Sequence, residues 1–228
     1  MRPASLIALV VCAHVQHASP AVGQTGRVPA AGRIEVAAGP RWAGAMSAGA
    51  RDATLTAPDG SRFRLFSTSS ELLSASGVEL RVGARVTRVL DAEIVTSYLV
   101  PRLITSIAAD IENAAATTTS EPIRHITIEG AAVVYLRRRP GPRLVPFVTA
   151  GGGYLWQLHE TQTLIPGGPV YHVGGGVKVV LASRGADKRV KQIGVRVDAR
   201  ALVRTARVTL DARAHVVPAL AASLFVRF

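Results

Sequence analysis

The sequence predicts an all-β protein: a closed antiparallel, up-and-down transmembrane β-barrel with its apolar face outward. Three observations lead to this class. Apolar and polar residues alternate with the two-residue period of a strand in eight segments. The connections between those segments are long and short in turn. Hydrophobic residues make up 48 % of the chain, yet no run reaches the roughly 18 to 20 apolar residues of a membrane-spanning helix, which excludes a helical membrane protein.

The first segment, residues 33–44, alternates around Pro40, which weakens it as a strand. The longest connection follows, over residues 46–76. It contains Pro58-Asp59-Gly60 between two short β-like runs, which is the chemistry of a turn. This connection is either a hairpin standing on a long loop or an extra strand pair. We therefore predict eight strands and keep ten as the alternative.

The next three segments cover residues 77–89, the region after a tight turn at 90–91, and residues 124–137. The middle one is the least regular, because Val95 and Leu99 interrupt its polar face. Residues 105–122 are rich in alanine and threonine and are predicted to form a second long loop, with a possible helix over 108–116.

Residues 143–159, 169–181 and 192–204 form the fifth to seventh segments, and residues from Pro218 to Phe228 the last. Two glycine triplets, at 151–153 and 174–176, are predicted to lie opposite each other, with Gly151 near Gly176. Facing glycines let a barrel bend or admit a bulky side chain to the lumen.

The connections themselves alternate in length. Residues 46–76, 105–122, 160–168 and 205–215 are the predicted loops, and residues 90–91, 138–142 and 183–190 are the turns. Long loops on one side and short turns on the other are typical of an outer-membrane barrel whose two termini face the periplasm.

The polar faces of the segments carry charges of both signs, as side chains packed inside a narrow barrel must for mutual compensation. We assign these charges to the lumen, and a soluble lipocalin-like barrel with its apolar face inside is the alternative. The predicted lumen set is Glu79, Arg81, Arg85, Asp91, Glu93, Glu129, Lys178, Arg196, Asp198 and Arg200.

The opposite faces are dominated by aliphatic residues, with aromatic residues toward the strand ends. That distribution is typical of an aromatic belt at a membrane interface. The predicted lipid-facing belt is Tyr98, Tyr154, Trp156, Tyr171 and Phe228.

The N-terminus predicts secretion. Arg2 precedes an apolar run, and small residues follow up to Gly23, which is the pattern of a cleaved signal peptide over residues 1–23. A leader over 24–32 and the barrel over 33–228 complete the predicted organisation. Cys12, the single cysteine, lies in the signal segment, so the mature chain is expected to have no thiol chemistry.

The formal net charge is +12. The arginines are spread along alternating strand faces, which argues against nucleic acid as a partner and favours anionic lipid headgroups. We expect outer-membrane lipid and lipopolysaccharide as partners, and a monomer.

In these features the chain resembles the small outer-membrane β-barrel proteins of diderm bacteria. The resemblance covers residues 33–228 and rests on the signal segment, on strands such as those around the glycine triplets, and on the ending Ser223-Leu224-Phe225-Val226-Arg227-Phe228. It implies that Leu224, Val226 and Phe228 form a C-terminal signal for the barrel-insertion machinery.

No catalytic, metal or cofactor site is predicted. The histidines considered are His125, His159, His172 and His215, with Glu129, Glu160 and Asp211 as acids. Along one strand, His125 and Glu129 are about 13 Å apart, too far for a hydrogen bond. The leading function is a non-enzymatic barrel with a filled lumen and a structural or loop-mediated binding role. A narrow pore and a lipid-modifying enzyme are the alternatives.

Overall fold

The computed structural model describes residues 33–108, 115–136, 143–158, 164–183, 189–204 and 214–228, apart from the side chains of residues 164–166. All regular elements in these ranges are strands. They are β1 (Ile34–Ala43), β2 (Met46–Thr56), β3 (Arg62–Leu72), β4 (Ala75–Arg85), β5 (Leu90–Leu99), β6 (Arg102–Ala108), β7 (Thr117–Pro122), β8 (Arg124–Tyr135), β9 (Leu144–Leu158), β10 (Leu164–Ser183), β11 (Gln192–Arg204) and β12 (His215–Arg227). In the same ranges no helix is long and apolar enough to cross a membrane.

Eight of these strands close into a barrel in the order β1-β12-β11-β10-β9-β8-β5-β4. All neighbouring pairs are antiparallel, and the barrel is closed where Glu35 of β1 lies opposite Arg227 of β12. The backbone amide of Phe228 also donates to the carbonyl of Ile34 at 2.8 Å. The prediction of eight barrel strands is confirmed, and the alternative of ten is wrong.

The other four strands form a separate sheet in the order β2-β3-β6-β7, which we call the extension sheet. Each of its strands is joined to a barrel strand by one or two residues: β2 to β1, β3 to β4, β6 to β5 and β7 to β8. The order of the extension sheet therefore matches the order of these four barrel strands. For residues 46–76 the alternative of an extra strand pair is correct, although that pair lies outside the barrel. The prediction of a long loop is wrong for most of residues 105–122, which contain the end of β6 and all of β7. Serine and threonine occupy both faces here, so no hydrophobic period marked them as strands. The proposed helix over 108–116 lies largely outside the described residues.

The turn at the tip of the β2–β3 hairpin forms as predicted. The amide of Gly60 donates to the carbonyl of Ala57 at 2.9 Å, and Gly60 has a φ of +85°, which a residue with a side chain rarely adopts. The Asp59 carboxylate accepts from the amide and the hydroxyl of Ser61 at 2.9 and 2.7 Å.

The barrel turns its apolar face outward. Val78 and Leu224 on the outside are 61 % and 64 % exposed, whereas Arg196 on the inside is fully buried. The lipocalin-like alternative is therefore wrong, because it requires the arginine-rich faces to lie outside.

The two ends of the barrel differ. The turn end holds the start of β1 and the end of β12, with connections over 86–89, 136–143 and 184–191. The loop end carries the extension sheet and the connections over 159–163 and 205–214. The third loop is shorter than predicted, since β10 begins at Leu164.

That short connection also shifts the register of β9 and β10. Gly151 lies opposite His172 and Gly176 opposite Phe147, so the prediction that Gly151 faces Gly176 is wrong by four residues. The pairing continues through residues expected to be loop, and a tighter turn fixes a different register. Each of these two inward glycines consequently faces a bulky side chain.

Candidate functional site

The barrel lumen is the strongest candidate for a functional site, because it collects most of the buried charge. Because successive side chains of a strand point to opposite faces, the predicted lumen residues on β4, β5, β8, β10 and β11 all point inward. Among the described residues the buried ionic side chains are Glu35, Glu79, Asp91, Glu93, Glu129 and Asp198, together with Arg41, Arg81, Lys178, Arg196, Arg200, Arg204 and Arg227. Arg85, the remaining predicted member, is partly buried at the turn end.

Glu79 is the hub of the central layer. It accepts from both terminal nitrogens of Arg200 at 3.1 and 3.0 Å, from Nη1 of Arg41 at 3.2 Å and from Nε of Arg81 at 2.5 Å. These partners come from β11, β1 and β4, so one carboxylate ties three strands together. Bonds between ionised partners are about twice as strong as neutral ones.

Asp198 is a second acceptor beside the hub. It accepts from Arg81 at 2.9 Å, from Nε of Arg196 at 3.1 Å and from Nε of Arg200 at 2.6 Å. Arg81 and Arg200 therefore bridge Glu79 and Asp198. A buried guanidinium needs such multiple partners, because isolated charges are strongly disfavoured away from water.

Toward the turn end, aromatic rings surround the cations. Arg196 donates to Glu93 at 2.6 Å, and its guanidinium lies 4.3 Å from the ring centre of Phe147. The ammonium of Lys178 lies 5.1 Å from the ring centre of Tyr135 and 5.6 Å from that of Phe225. Cation–π contacts of this kind add to the ion pairs.

The lumen layer at the turn end joins the first and last strands. Glu35 accepts from Lys178 and from Arg227, each at 2.5 Å. Asp91 accepts from Arg85 at 3.0 Å, from Arg227 at 3.3 Å and from the Tyr135 hydroxyl. The barrel is thus sealed across β1 and β12 by side chains as well as by backbone bonds.

Toward the loop end, Glu129 accepts from Arg41 at 3.2 Å and is hydrogen-bonded to Nδ1 of His172 at 2.6 Å. Arg41 also donates to the hydroxyl of Ser97 at 2.9 Å, and Ser97 bonds to Thr127. His125 on the same strand as Glu129 is buried without contacting it. All of these side chains are buried.

Apolar residues fill the interior beyond the charged layers at the loop end and beside them at the turn end. A buried cluster at the loop end contains Met46, Leu72, Leu202, Val217 and Ala219, with Leu103 packed against it. A cluster at the turn end contains Val133, Tyr135 and Phe147. In the described part of the chain, therefore, the interior is packed with side chains.

The predicted lumen set omits several members of this network: Glu35, Arg41, Tyr135, His172 and Arg227. A signal was present for two of them, since Tyr135 alternates in step with Glu129 on β8 and His172 with Lys178 on β10. Phe147 and Phe225 broke the apparent rule, because they are apolar residues on the polar face. Their role as ring partners for Lys178 and Arg196 depends on contacts across the lumen, which sequence separation hides.

The predicted aromatic belt lies on the outer face. Tyr98, Tyr154 and Tyr171 are exposed, and Tyr154 packs on Trp156 with ring centres 4.9 Å apart. These four lie toward the loop end of their strands, whereas Phe228 lies at the turn end beside Leu224 and Val226. Their roles as lipid contacts and as an insertion signal stay predictions.

No group of three or more metal-binding side chains occurs in the described ranges. Of the candidate residues for chemistry, His159, Glu160 and Asp211 lie outside those ranges, as does the predicted signal peptide. His215 is the first residue of β12, at the loop end of the barrel.

Comparison with known structures identifies the architecture. The outer membrane protein OprG from Pseudomonas aeruginosa superposes with a TM-score of 0.50 at 10 % sequence identity, over 87 % of this chain and 96 % of that chain. The fold is that of a small outer-membrane β-barrel. No protein-family model matches the chain, and no curated protein matches its sequence.

Proposed function

We propose that the protein is a non-enzymatic barrel of the bacterial outer membrane, with a closed lumen and a binding surface on its extension sheet. The packed lumen is the observation that carries this proposal. Charged layers and the aromatic and aliphatic side chains packed with them fill the interior, and an apolar cluster covers the charges at the loop end. Eight strands leave an interior just wide enough to be filled by side chains.

The packed lumen argues against the pore. A pore in an eight-stranded barrel needs space made by the glycines. A Cβ at Gly151 lies 2.7 Å from Cε1 of His172, and one at Gly176 lies 2.6 Å from Cβ of Asp198. The space beside these glycines is already occupied.

Purified heat-modifiable protein in liposomes tests the closed lumen. We expect no flux of small sugars or amino acids, while an open general porin in the same liposomes gives rapid flux. Turnover of labelled lipid A or phospholipid is expected to be absent. Rapid flux would contradict the closed lumen, and lipid turnover would contradict the non-enzymatic role.

The extension sheet supports the binding role, because it presents an exposed surface beyond the barrel. Exposed apolar side chains on it include Leu55, Phe63 and Ile107, and Arg51 and Arg62 are also exposed. A variant in which a short glycine-containing turn replaces residues 51–67 separates the two roles. If it restores the detergent resistance of a deletion strain, the role is structural; if it inserts normally without restoring resistance, the sheet carries the function.

A further inference from the structure

The outer surface of the barrel has a groove that its closed lumen does not explain. The groove crosses β1, β4, β5 and β8 and has a volume of about 630 Å³. Its outward lining consists of Ala38, Pro40, Val78, Leu80, Thr96, Tyr98 and Ile126. We call it the outer groove.

Strand register explains its shape. Pro40, Val78, Tyr98 and Ile126 are successive cross-strand partners and form one row across the barrel wall. Ala38, Leu80 and Thr96 form the adjacent row toward the turn end. The small side chains of Ala38 on β1 and Thr96 on β5 leave a depression between larger apolar ones, which is a shape that holds a hydrocarbon chain.

Two arginines lie on the same outer face just beyond the groove. Arg124 is two residues before Ile126 on β8, about 7 Å along the strand. Arg102 pairs with Pro122, which puts it on the neighbouring strand, one diagonal step from Arg124. Both are exposed. The exposed carboxylate Glu71 lies further out on this face, opposite Ile104.

We propose that this surface binds one molecule of a phosphorylated, multiply acylated glycolipid of the lipid A class. An acyl chain occupies the outer groove, and the glycolipid phosphates accept from Arg102 and Arg124. Guanidinium groups match phosphate oxygens in a bidentate geometry. Two adjacent arginines suit a lipid that carries two phosphates better than a phospholipid that carries one.

This proposal rests on the proposed outer-membrane location, in which the loop end faces the exterior. Trp42 supports a membrane interface at the loop end of the outer groove. It lies opposite Ser76, one row beyond Pro40, and tryptophan is enriched where hydrocarbon meets headgroups.

Native mass spectrometry of the full-length, heat-modifiable protein in detergent, titrated with bis-phosphorylated hexa-acyl lipid A, tests the site. We expect one lipid bound per barrel. The double variant Arg102→Gln/Arg124→Gln is expected to weaken binding at least tenfold, as the loss of charge-assisted hydrogen bonds predicts. The matched control Arg88→Gln removes an exposed arginine at the turn end and is expected to leave binding unchanged.

A second pair of variants tests the groove. Ala38→Phe fills it and is expected to weaken lipid A binding, whereas Ala92→Phe adds the same ring to the outer face of β5 outside the groove and is not. Equal affinity of all variants would overturn the proposal. Equal binding of phosphatidylglycerol, lost in the same variants, would overturn the assignment to lipid A.

These experiments distinguish failure of the proposed outer-membrane location from failure of the lipid A site alone. If the wild-type chain shows no heat-modifiable mobility and is recovered as a soluble protein, the outer-membrane location fails and this site fails with it. If the folded barrel is recovered from the membrane and binds lipid A with no preference for the intact site, only the present inference is overturned.

Discussion

The barrel and the extension sheet use the same two-residue period but put arginine in opposite environments. Arg81 and Arg200 in the barrel are buried, and each bonds to two carboxylates. In the extension sheet, Arg64 is 54 % exposed at its side chain, and its ion-pair partner among the described residues is the distant Asp52 at 3.8 Å. Closure makes the difference, because a closed barrel encloses one face of every strand and an open sheet encloses neither.

This contrast teaches where charge contributes to stability. Exposed ion pairs contribute little, since water screens them and long side chains lose entropy. Breaking a buried pair leaves an uncompensated charge, which is costly. The same residue type therefore has a structural role in one region and remains available for contacts in the other.

The largest expected effect comes from removing the central acceptor. Glu79→Gln leaves three arginines without their shared carboxylate and is expected to destabilise the barrel by about 3–5 kcal/mol. Urea unfolding in detergent micelles, followed by gel mobility, measures this. Glu71→Gln in the extension sheet is the control, with an expected change within about 0.5 kcal/mol. Equal unfolding midpoints for the two variants would remove the distinction between the regions.

A smaller effect is expected from filling the space beside an inward glycine. Gly151→Ala brings a methyl group against His172 and the backbone of β8, with an expected cost of about 1–3 kcal/mol. Gly130→Ala is the matched control, since its added methyl lies 4.0 Å from the nearest atom, the Gly152 carbonyl oxygen. The same unfolding assay compares them, and a neutral Gly151→Ala would show that the backbone of β8 and His172 both shift without cost.

Limited proteolysis sharpens the comparison without changing stability. Trypsin is expected to cut the exposed hairpin tip after Arg62 or Arg64 while the chain around Arg81 and Arg196 stays intact, because cleavage needs local opening. Mass spectrometry of the fragments identifies the sites, and the variant Arg62→Gln/Arg64→Gln is expected to lose the tip fragments. Cleavage after Arg196 on the same timescale would contradict a closed barrel.

The smallest effect concerns the turn at the hairpin tip. The hydroxyl and the amide of Ser61 hold the pKa of Asp59 below its ordinary value of 3.8. A lowered folded-state pKa means that the stabilisation is complete above the ordinary pKa and is lost as pH falls through the lowered value. We expect faster hydrogen exchange at the Ser61 amide at about pH 2 than at pH 5, after correction for intrinsic rates. Asp59→Asn is expected to remove the pH dependence.

Much of the fold could be predicted because strand parity is a local property. Val78 and Glu79, or Val195 and Arg196, are adjacent in sequence, so their alternation reveals two faces before any partner is known. The charges of both signs then indicated which face lies inside. This reasoning predicted the lumen residues Glu79, Arg81, Arg196 and Asp198.

The strands of the extension sheet could not be predicted in the same way. Near the barrel, Met46, Leu72 and Leu103 pack in or against the cluster at the loop end. Farther out, the strands have serine, threonine and arginine on both faces, because neither face is enclosed by lipid or by a packed lumen. Without a hydrophobic period, only the turn at Pro58-Asp59-Gly60 revealed a hairpin. The predicted register between the glycine triplets of β9 and β10 was wrong for a related reason. It assumed the centre of the connecting turn, and the sequence does not give the true length of that turn.

The sequence by itself determined the strand period, the outward apolar face and the mixed charge of the inner face, because each follows from the residues next to one another along the chain. Only the tertiary structure decided which charges meet. Glu79 with Arg200, Glu129 with His172, and Glu35 with Lys178 are joined across a lumen that exists only once β1 has paired with β12. Such pairings depend on register and closure, and these are properties of the whole barrel.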